Sequence, residues 1–466
     1  MNIKKIFHFS VGPIGAALLG ILTVPILAWS FSPDDMGRFS VLQIIMSFSS
    51  ILFTLGLDQS YVRDYHESSD RAALLKTVLL PPIVFFVLFV LIFFNNIEFL
   101  ADKFYQIKSS TLAWATVGCV LLTVLLRYLS LTIRMQERGL LYSVSQITPK
   151  LLLLLFIFII YMFDCKDNTF YILIVIQLIS LLVIFLFFLF FIKKEFILAL
   201  KSKFDFNLLK RLLVFGFPLV ISGLVFWLMQ SLSRIVLLDL STLTELGIFG
   251  VATSVAAGFS ILTSIFNTIW VPIIYKLVKE NKGVKQVEKI SKYIALIIAV
   301  IIFFVGLMMP IIPKFLPVSY SGIEYIILLC IMQPLLYTLS EATAVGILIE
   351  RKTNYSVLIS FLSMIINFLL LIKLVPHYGA LGSAISVVIS FGFYLILRTE
   401  FSAFLWMGFD RVRMYLSVFL SIVFVVVSAF FSLKYLYVVL GSLVLVIFNF
   451  FIFFSELKKN FNIKYI

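Results

Sequence analysis

"LLYSVSQITPKLLLLLFIFIIYM", residues 140–162, is long and apolar enough to cross a bilayer as one helix, yet it places Pro149 and Lys150 side by side near its middle. At 1.5 Å rise per residue, about 20 apolar residues cover the roughly 30 Å hydrocarbon layer. Entering at residue 140, the helix reaches Lys150 after roughly 15 Å, close to the bilayer centre. Snorkelling recovers only part of that depth. A central Lys or Arg costs about 2.5–3.5 kcal/mol unless it faces water or a partner. The stretch therefore predicts a membrane helix and, within it, a charge that needs a reason.

Working outward, runs of the same kind recur along the whole chain. They lie near 11–30, 38–57, 74–94, 111–133, 140–162, 170–192, 212–232, 246–270, 290–312, 323–349, 354–374, 380–398, 413–432 and 435–454. Helices are the open-ended element that can satisfy its own backbone in hydrocarbon. The expected fold class is thus all-α, a polytopic membrane protein with about 14 transmembrane helices. Composition agrees: of 466 residues, 62% are hydrophobic and 13% charged. Soluble domains carry about 25% charged residues. The first run follows "MNIKK" but is too long for a signal peptide and lacks a small-residue cleavage site, so it is retained as a span. Cys119, Cys165 and Cys330 outline no disulfide framework.

A net charge of +14 raises nucleic acid as a partner, and its distribution argues against one. With the N-terminus in the cytoplasm and the spans alternating, the cytoplasmic segments hold 27 of the 37 lysines and arginines. That is the positive-inside bias, which orients the chain and implies no polyanion. Both termini then face the cytoplasm. The basic loops "KKEFILALKSKFDFNLLKR" (193–211) and "KLVKENKGVKQVEKISK" (276–292) read as topogenic anchors attracted to anionic lipid.

Self-similarity divides the chain. "ERGLLYSV" (137–144) matches "ERKTNYSV" (350–357) at an offset of 213, and "GRFSV" (37–41) matches "GIFGV" (247–251) at 210. Pro13 and Pro218 open spans at an offset of 205. Six spans separate equivalent helices, so the halves share one orientation, related by a pseudo-twofold along the membrane normal. The expected domains are a six-helix lobe at 1–203, a second at 204–400, and two additional helices with a cytoplasmic tail at 401–466. A cleft between such lobes can open to either face by rocking, which is a transporter plan.

Deep charge distinguishes the halves. Arg127 and Lys150 lie within spans of the first lobe, whereas at the 213 offset the second lobe has Ser340, next to Glu341, and Ser363. Two readings follow. In one, Lys150 or Arg127 pairs with Glu341, or each bonds backbone carbonyls freed around Pro149. In the other, a wet cleft presents cations to an anionic headgroup. Arg63 in "LGLDQSYVRDY" would guard the inner mouth or anchor the interface. Arg234 in "WLMQSLSRIVLLDL" would face the cleft or pair with Asp239. No glycine-rich phosphate loop, metal-ligand spacing or nucleophile with a base stands out, so neither an enzyme nor a cofactor is expected.

Several segments carry a resemblance: "AWSFSPDDMGRFSVLQ" (28–43), "LGLDQSYVRDY" (55–65), residues 214–256, "SIFNTIWVPIIYK" (264–276) and "VPHYGALGSAISVVIS" (375–390). They resemble the Wzx-type polysaccharide-export flippases, which stand beside the MATE drug exporters in the MOP superfamily. The resemblance implies translocation of undecaprenyl-diphosphate-linked oligosaccharide, such as an O-antigen repeat unit, from the inner to the outer leaflet of a bacterial inner membrane. It implies a cationic lumen for the diphosphate, coupling to a proton or sodium gradient, and the polysaccharide polymerase machinery as partner. Arg63 and Arg234 fall in matched segments; Arg127 and Lys150 rest on depth. Glu341 is then the candidate for ion coupling, releasing a cation on protonation and recapturing it afterwards. The rivals are a MATE-type exporter of organic cations, which should carry an acid in the first lobe's spans, and an integral-membrane polymerase or glycosyltransferase, which the short loops disfavour.

Overall fold

A computed structural model describes residues 3–162, 170–280, 282–350, 352 and 354–462, so Cys165 lies outside the described residues. All regular structure among them is helical. The chain forms two compact units, Met1–Ser231 and Leu232–Ile466.

The first unit contains α1 (Ile3–Ser30), α2 (Pro33–Thr54), α3 (Leu57–Asp64), α4 (Arg71–Phe93), α5 (Glu98–Tyr105), α6 (Ser110–Met135), α7 (Gly139–Met162) and α8 (Phe170–Lys201). It also holds most of α9 (Phe206–Leu240). The second continues with α10 (Leu243–Ala257), α11 (Ser260–Lys279), α12 (Gly283–Met308), α13 (Ile323–Thr343), α14 (Val345–Ile349), α15 (Asn354–Leu405), α16 (Val412–Phe430) and α17 (Tyr435–Asn462). Among the described residues, twelve helical stretches are long and apolar enough to cross a membrane, with a shorter apolar one at Ile14–Ser30. The 52-residue α15 is two helices joined at Gly379, whose φ of 49° and ψ of −126° are not helical. Counting α1 and both parts of α15 reproduces the fourteen runs read from the sequence. The protein is a multi-pass membrane protein.

In the first unit, α1 lies against α7 along a stripe of glycines. A Cβ at Gly12 would sit 2.7 Å from the Cα of Ser143, and one at Gly15 would sit 2.8 Å from Ile147 Cδ1. In lipid, such close backbone approach supplies the contact that hydrophobic burial cannot. The division into units falls within α9, because the first part of that helix belongs to the first unit. Ser60 Oγ donates to the Leu212 carbonyl at 2.7 Å, and Trp227 Nε1 donates to Ser47 Oγ at 2.9 Å. At Gly56 the backbone is left-handed (φ 71°), and a side chain there would run into the carbonyl of Gly216.

The repeat is visible in local chemistry. α2 starts with Ser32 Oγ accepting from the Asp35 N–H, and α10 with Thr242 Oγ1 accepting from the Glu245 N–H, each at 3.2 Å. These are the same helix-start device at the 210 offset. Asp35 then holds Arg38 Nη1 at 3.0 Å, whereas Glu245 reaches the break in α15 and accepts from the Ala380 N–H at 2.7 Å. That contact gives "HYGALG" its structure: the glycine bends the chain and a borrowed carboxylate caps the helix that restarts.

In the second unit, α13 and the short α14 after it carry a polar seam facing α15. Thr343 bonds Thr399 (2.7 Å), and the Gly346 N–H donates to Ser402 Oγ (2.8 Å). α16 and α17 belong to this unit, joined by buried Ser417 donating to Asn449. The loop leading into α16 is held by Arg411, whose Nε and Nη2 reach the two Glu400 oxygens at 2.6 and 2.5 Å. Beside it, fully buried Lys292 is paired with Glu288 at 2.7 Å and lies 3.7 Å from Asp410.

Candidate functional site

The deep cations of the first unit have been given partners of different kinds. Leu55 and Gly56 both adopt left-handed backbone, ending α2 and restarting the chain as α3. That break puts Asp58 in the first turn of α3, where an acid complements the helix dipole. Arg127 on α6 donates Nε (3.1 Å) and Nη2 (2.9 Å) to the same Asp58 oxygen, Oδ2. Two donors on one oxygen leave Nη1 without a partner among the described residues. The Arg127 side chain is 42% exposed while that of Asp58 is 9% exposed. Arg127 lies about 12 Å along the helix from the end of α6, at the standard rise. The arginine is therefore anchored on one edge and open on another.

Lys150 on α7 donates Nζ to the carbonyl of Ala16 on α1 at 2.6 Å. Room for the ammonium comes from Gly20, where a Cβ would stand 2.7 Å from Nζ. The carbonyl belongs to the neighbouring helix and not to the turn around Pro149, the acceptor that one of the two readings offered. An ammonium has three donors. The other two have no partner among the described residues, and Lys150 is half-buried.

Arg63 lies at the end of α3, exposed, with its guanidinium carbon 4.3 Å from the centre of the Phe215 ring and Nε 3.5 Å from Asp64 Oδ1. Asp64 in turn accepts from Arg211 Nη2 at 3.2 Å. In the second unit, Arg234 donates Nη2 to Thr253 Oγ1 at 2.8 Å and forms no ion pair with Asp239 among the described residues. The two are five residues apart on α9 and point to different faces.

Glu341 has its own cation. Arg398 on α15 donates Nη1 to Glu341 Oε1 at 2.5 Å and to Ser340 Oγ at 3.0 Å. Its guanidinium carbon lies 5.8 Å from the Tyr337 ring centre and 5.4 Å from that of Tyr394. Its Nε is buried without a partner among the described residues. Glu341, Arg127 and Lys150 thus each have a partner within their own unit: Arg398, Asp58 and the Ala16 carbonyl.

Two residues of this arrangement escaped the sequence reading. Arg398 stands at the very edge of the run 380–398, where sequence alone groups it with the cytoplasmic charges; helix α15 continues past it to Leu405, and Arg398 is buried. Asp58 directly follows the apolar run 38–57, outside its bounds. Its signal was the neighbouring "LGLD", where glycine permits the helix break. Asp58 also removes one argument against an exporter of cations, since the first unit does carry a deep acid, here neutralised by Arg127.

Similarity to known proteins completes the description. Over 96% of this chain and 99% of its own, the inward-closed structure of the lipid II flippase MurJ superposes with a TM-score of 0.72 at 15% identity. An inward-facing multidrug resistance MATE family transporter of the MOP superfamily gives 0.58 at 14% identity, covering 86% of this chain and 95% of its own. The fold is accordingly that of the MurJ and MATE transporters. The capsular polysaccharide biosynthesis protein CapF of Staphylococcus aureus is 23% identical over 403 residues, 83% of this chain and 96% of that protein. Residues 3–278, more than half of the chain, match the model of the polysaccharide biosynthesis protein family, and the chain belongs to that family.

Proposed function

We propose that this protein is a flippase that carries undecaprenyl-diphosphate-linked oligosaccharide, of the O-antigen repeat-unit type, from the cytoplasmic to the outer leaflet of a bacterial inner membrane by alternating access. The family supplies the pathway class, and the fold is one found in a lipid II flippase and in drug exporters. The observation that carries the reading is the unspent donors of Arg127 and Lys150, deep in their spans.

A diphosphate cannot enter hydrocarbon unaided, because an unpaired buried charge is prohibitively costly. Guanidinium and ammonium donors replace part of its hydration with charge-assisted hydrogen bonds. Arg127 is held by Asp58 and still offers Nη1. Lys150 is steered by one carbonyl and still offers two N–H groups. Arg63 and Arg234 are further substrate contacts in this reading, exposed Arg63 meeting the headgroup early. The lipid tail stays in the bilayer, and both termini face the cytoplasm. The polysaccharide polymerase machinery would receive the product.

Glu341 serves as the coupling residue. A proton arriving on its carboxylate would release Arg398, and a sodium ion would compete with the guanidinium for the same oxygens. Either event converts a buried neutral pair into a free cation that an anionic substrate can satisfy.

The test is a pair of variants. Lys150→Ala and Arg127→Ala should each abolish surface polysaccharide while the amount of protein in the membrane is unchanged. Normal surface polysaccharide in both variants, or loss of the protein itself, would overturn the proposal.

A further inference from the structure

A cavity of about 540 Å³ lies wholly within the first unit, among the adjoining ends of α3, α4, α6 and α8 and the turn 136–138 that leads into α7. One of them carries the basic loop 193–211, which supplies Glu195 and Leu198, and the cavity sits along α3 and α6 from the Arg127–Asp58 pair. The cavity takes no part in the function proposed above.

Its lining has three chemistries. Tyr61 and Tyr65 form an aromatic wall, with ring centres 5.5 Å apart and planes at 72°. Arg71 stands over Tyr65, its guanidinium carbon 4.8 Å from the ring centre. Arg138 spends one donor on the Phe191 carbonyl at 3.4 Å. No hydrogen-bond partner occupies the remaining donors of these two arginines among the described residues. Opposite in kind are the acceptors. Gln136 donates Nε2 to Glu195 Oε1 at 2.8 Å, which fixes its amide and leaves Gln136 Oε1 buried with no donor. The second oxygen of Glu195 is likewise without a partner among the described residues.

A pocket built for a bare anion would not line itself with acids. Two arginines set against Glu137 and Glu195 leave it near neutral. An orphaned buried carbonyl calls for a donor, and leaving one unmet costs about 1–3 kcal/mol. Carboxylate and amide oxygens accept from hydroxyls, tyrosine faces cover the C–H side of a ring or chain, and arginines fork onto phosphate. The volume suits a ligand the size of a small sugar phosphate.

From this combination we infer that the cavity is a binding site for a phosphate that carries a polyol, whether a sugar phosphate or the glycerophosphate headgroup of a membrane lipid. The phosphate lies against Arg71 and Arg138, and the hydroxyls reach Gln136 and Glu195. This inference stands apart from the transport reading, since a protein that moves no lipid would still bind at this site.

The experiment uses the full-length protein in phosphatidylcholine nanodiscs, with glucose 1-phosphate and inorganic phosphate as probes in calorimetric titrations. Glucose 1-phosphate should bind saturably, at least tenfold more tightly than inorganic phosphate. Arg71→Gln with Arg138→Gln should weaken it at least tenfold, and Gln136→Leu should weaken glucose 1-phosphate while leaving inorganic phosphate unchanged. Variants are compared only where the unliganded unfolding temperature is kept. Should the neutral arginine pair fail to fold, Arg71→Lys with Arg138→Lys, which keeps charge but loses the fork, gives the same comparison. Competition by phosphatidylglycerol in the nanodisc would identify a lipid headgroup as the source, and its absence a sugar phosphate; both support the site. Absence of saturable binding, equal binding of inorganic phosphate, or affinities unmoved in folded variants would overturn it.

Discussion

Nη1 of Arg398 lies 2.5 Å from Oε1 of Glu341, and the two side chains are only 10% and 13% exposed. Each member of such a pair is tolerable because of the other. Removing one leaves an uncompensated buried charge, at a cost of about 3–5 kcal/mol, whereas replacing both by apolar groups is often near neutral. Glu341→Met and Arg398→Met should therefore each lower the unfolding temperature sharply, and the double variant should recover most of the loss. Thermal unfolding of the purified protein checks this. Additive losses would show that the two do not act as a pair.

The proposed coupling role makes a separate demand on the same carboxylate. Glu341→Gln keeps a hydrogen-bonding group beside Arg398 and removes the titratable charge. Transport into vesicles under imposed proton or sodium gradients should become independent of the gradient. If the variant responded to each gradient as the parent does, Glu341 would have no part in coupling.

Asp58 and Arg127 should separate function from stability in the opposite way. The Arg127 side chain is 42% exposed although that of Asp58 is 9% exposed, so this pair is less enclosed than Arg398 with Glu341. Asp58→Asn should fold and retain partial transport, since the guanidinium stays but is less firmly aimed. Arg127→Ala should fold and lose transport. The two measurements are surface polysaccharide and unfolding temperature, and a large drop in the latter for Asp58→Asn would assign the pair to structure.

Gly20 offers access to Lys150 without touching it. A methyl group at that position would stand 2.7 Å from Nζ, which is the mobile end of a long side chain, so the ammonium can shift off the Ala16 carbonyl. Gly20→Ala should leave the fold intact and lower transport several-fold. Unchanged transport would mean that the seat of the ammonium on α1 is not used.

Gly56 and Gly223 form a contrast of opposite sign. Gly56→Ala combines a φ of 71° with a collision against the Gly216 carbonyl, and neither backbone can yield easily. It should fail to accumulate in the membrane. At Gly223, on α9, an added Cβ meets nothing nearer than Ile51 Cγ2 at 3.7 Å, so Gly223→Ala should be tolerated or stabilising by up to about 1 kcal/mol. Membrane abundance of the two variants decides both points.

Hydropathy made the helices legible. A run such as 140–162 has no other stable form in hydrocarbon, so its length and flanks were enough to place α7, and the same held for the other spans. The matching helix starts near "GRFSV" and "GIFGV" were legible because such starts depend on a few residues close in sequence, Ser32 with Asp35 and Thr242 with Glu245. The places of Arg127 and Lys150 along their helices were also legible, since rise per residue is nearly constant; that of Glu341 was not, because α13 ends at Thr343 and the run 323–349 breaks there.

Partnership was not. Which group neutralises a deep charge depends on which helices touch, and touching joins residues far apart in the chain: Arg127 with Asp58, Lys150 with Ala16, Arg398 with Glu341. Apolar faces look alike in sequence, and the choice among them is made by small features, such as a glycine notch at Gly20 or a left-handed residue at Gly56, whose effect exists only once two backbones meet. The sequence by itself determined that the chain is a multi-pass helical membrane protein and that Arg127 and Lys150 lie within its apolar runs. Only tertiary structure decided which of those charges are spent on each other and which retain donors to offer, because that is settled by distances between helices, and no single helix contains them.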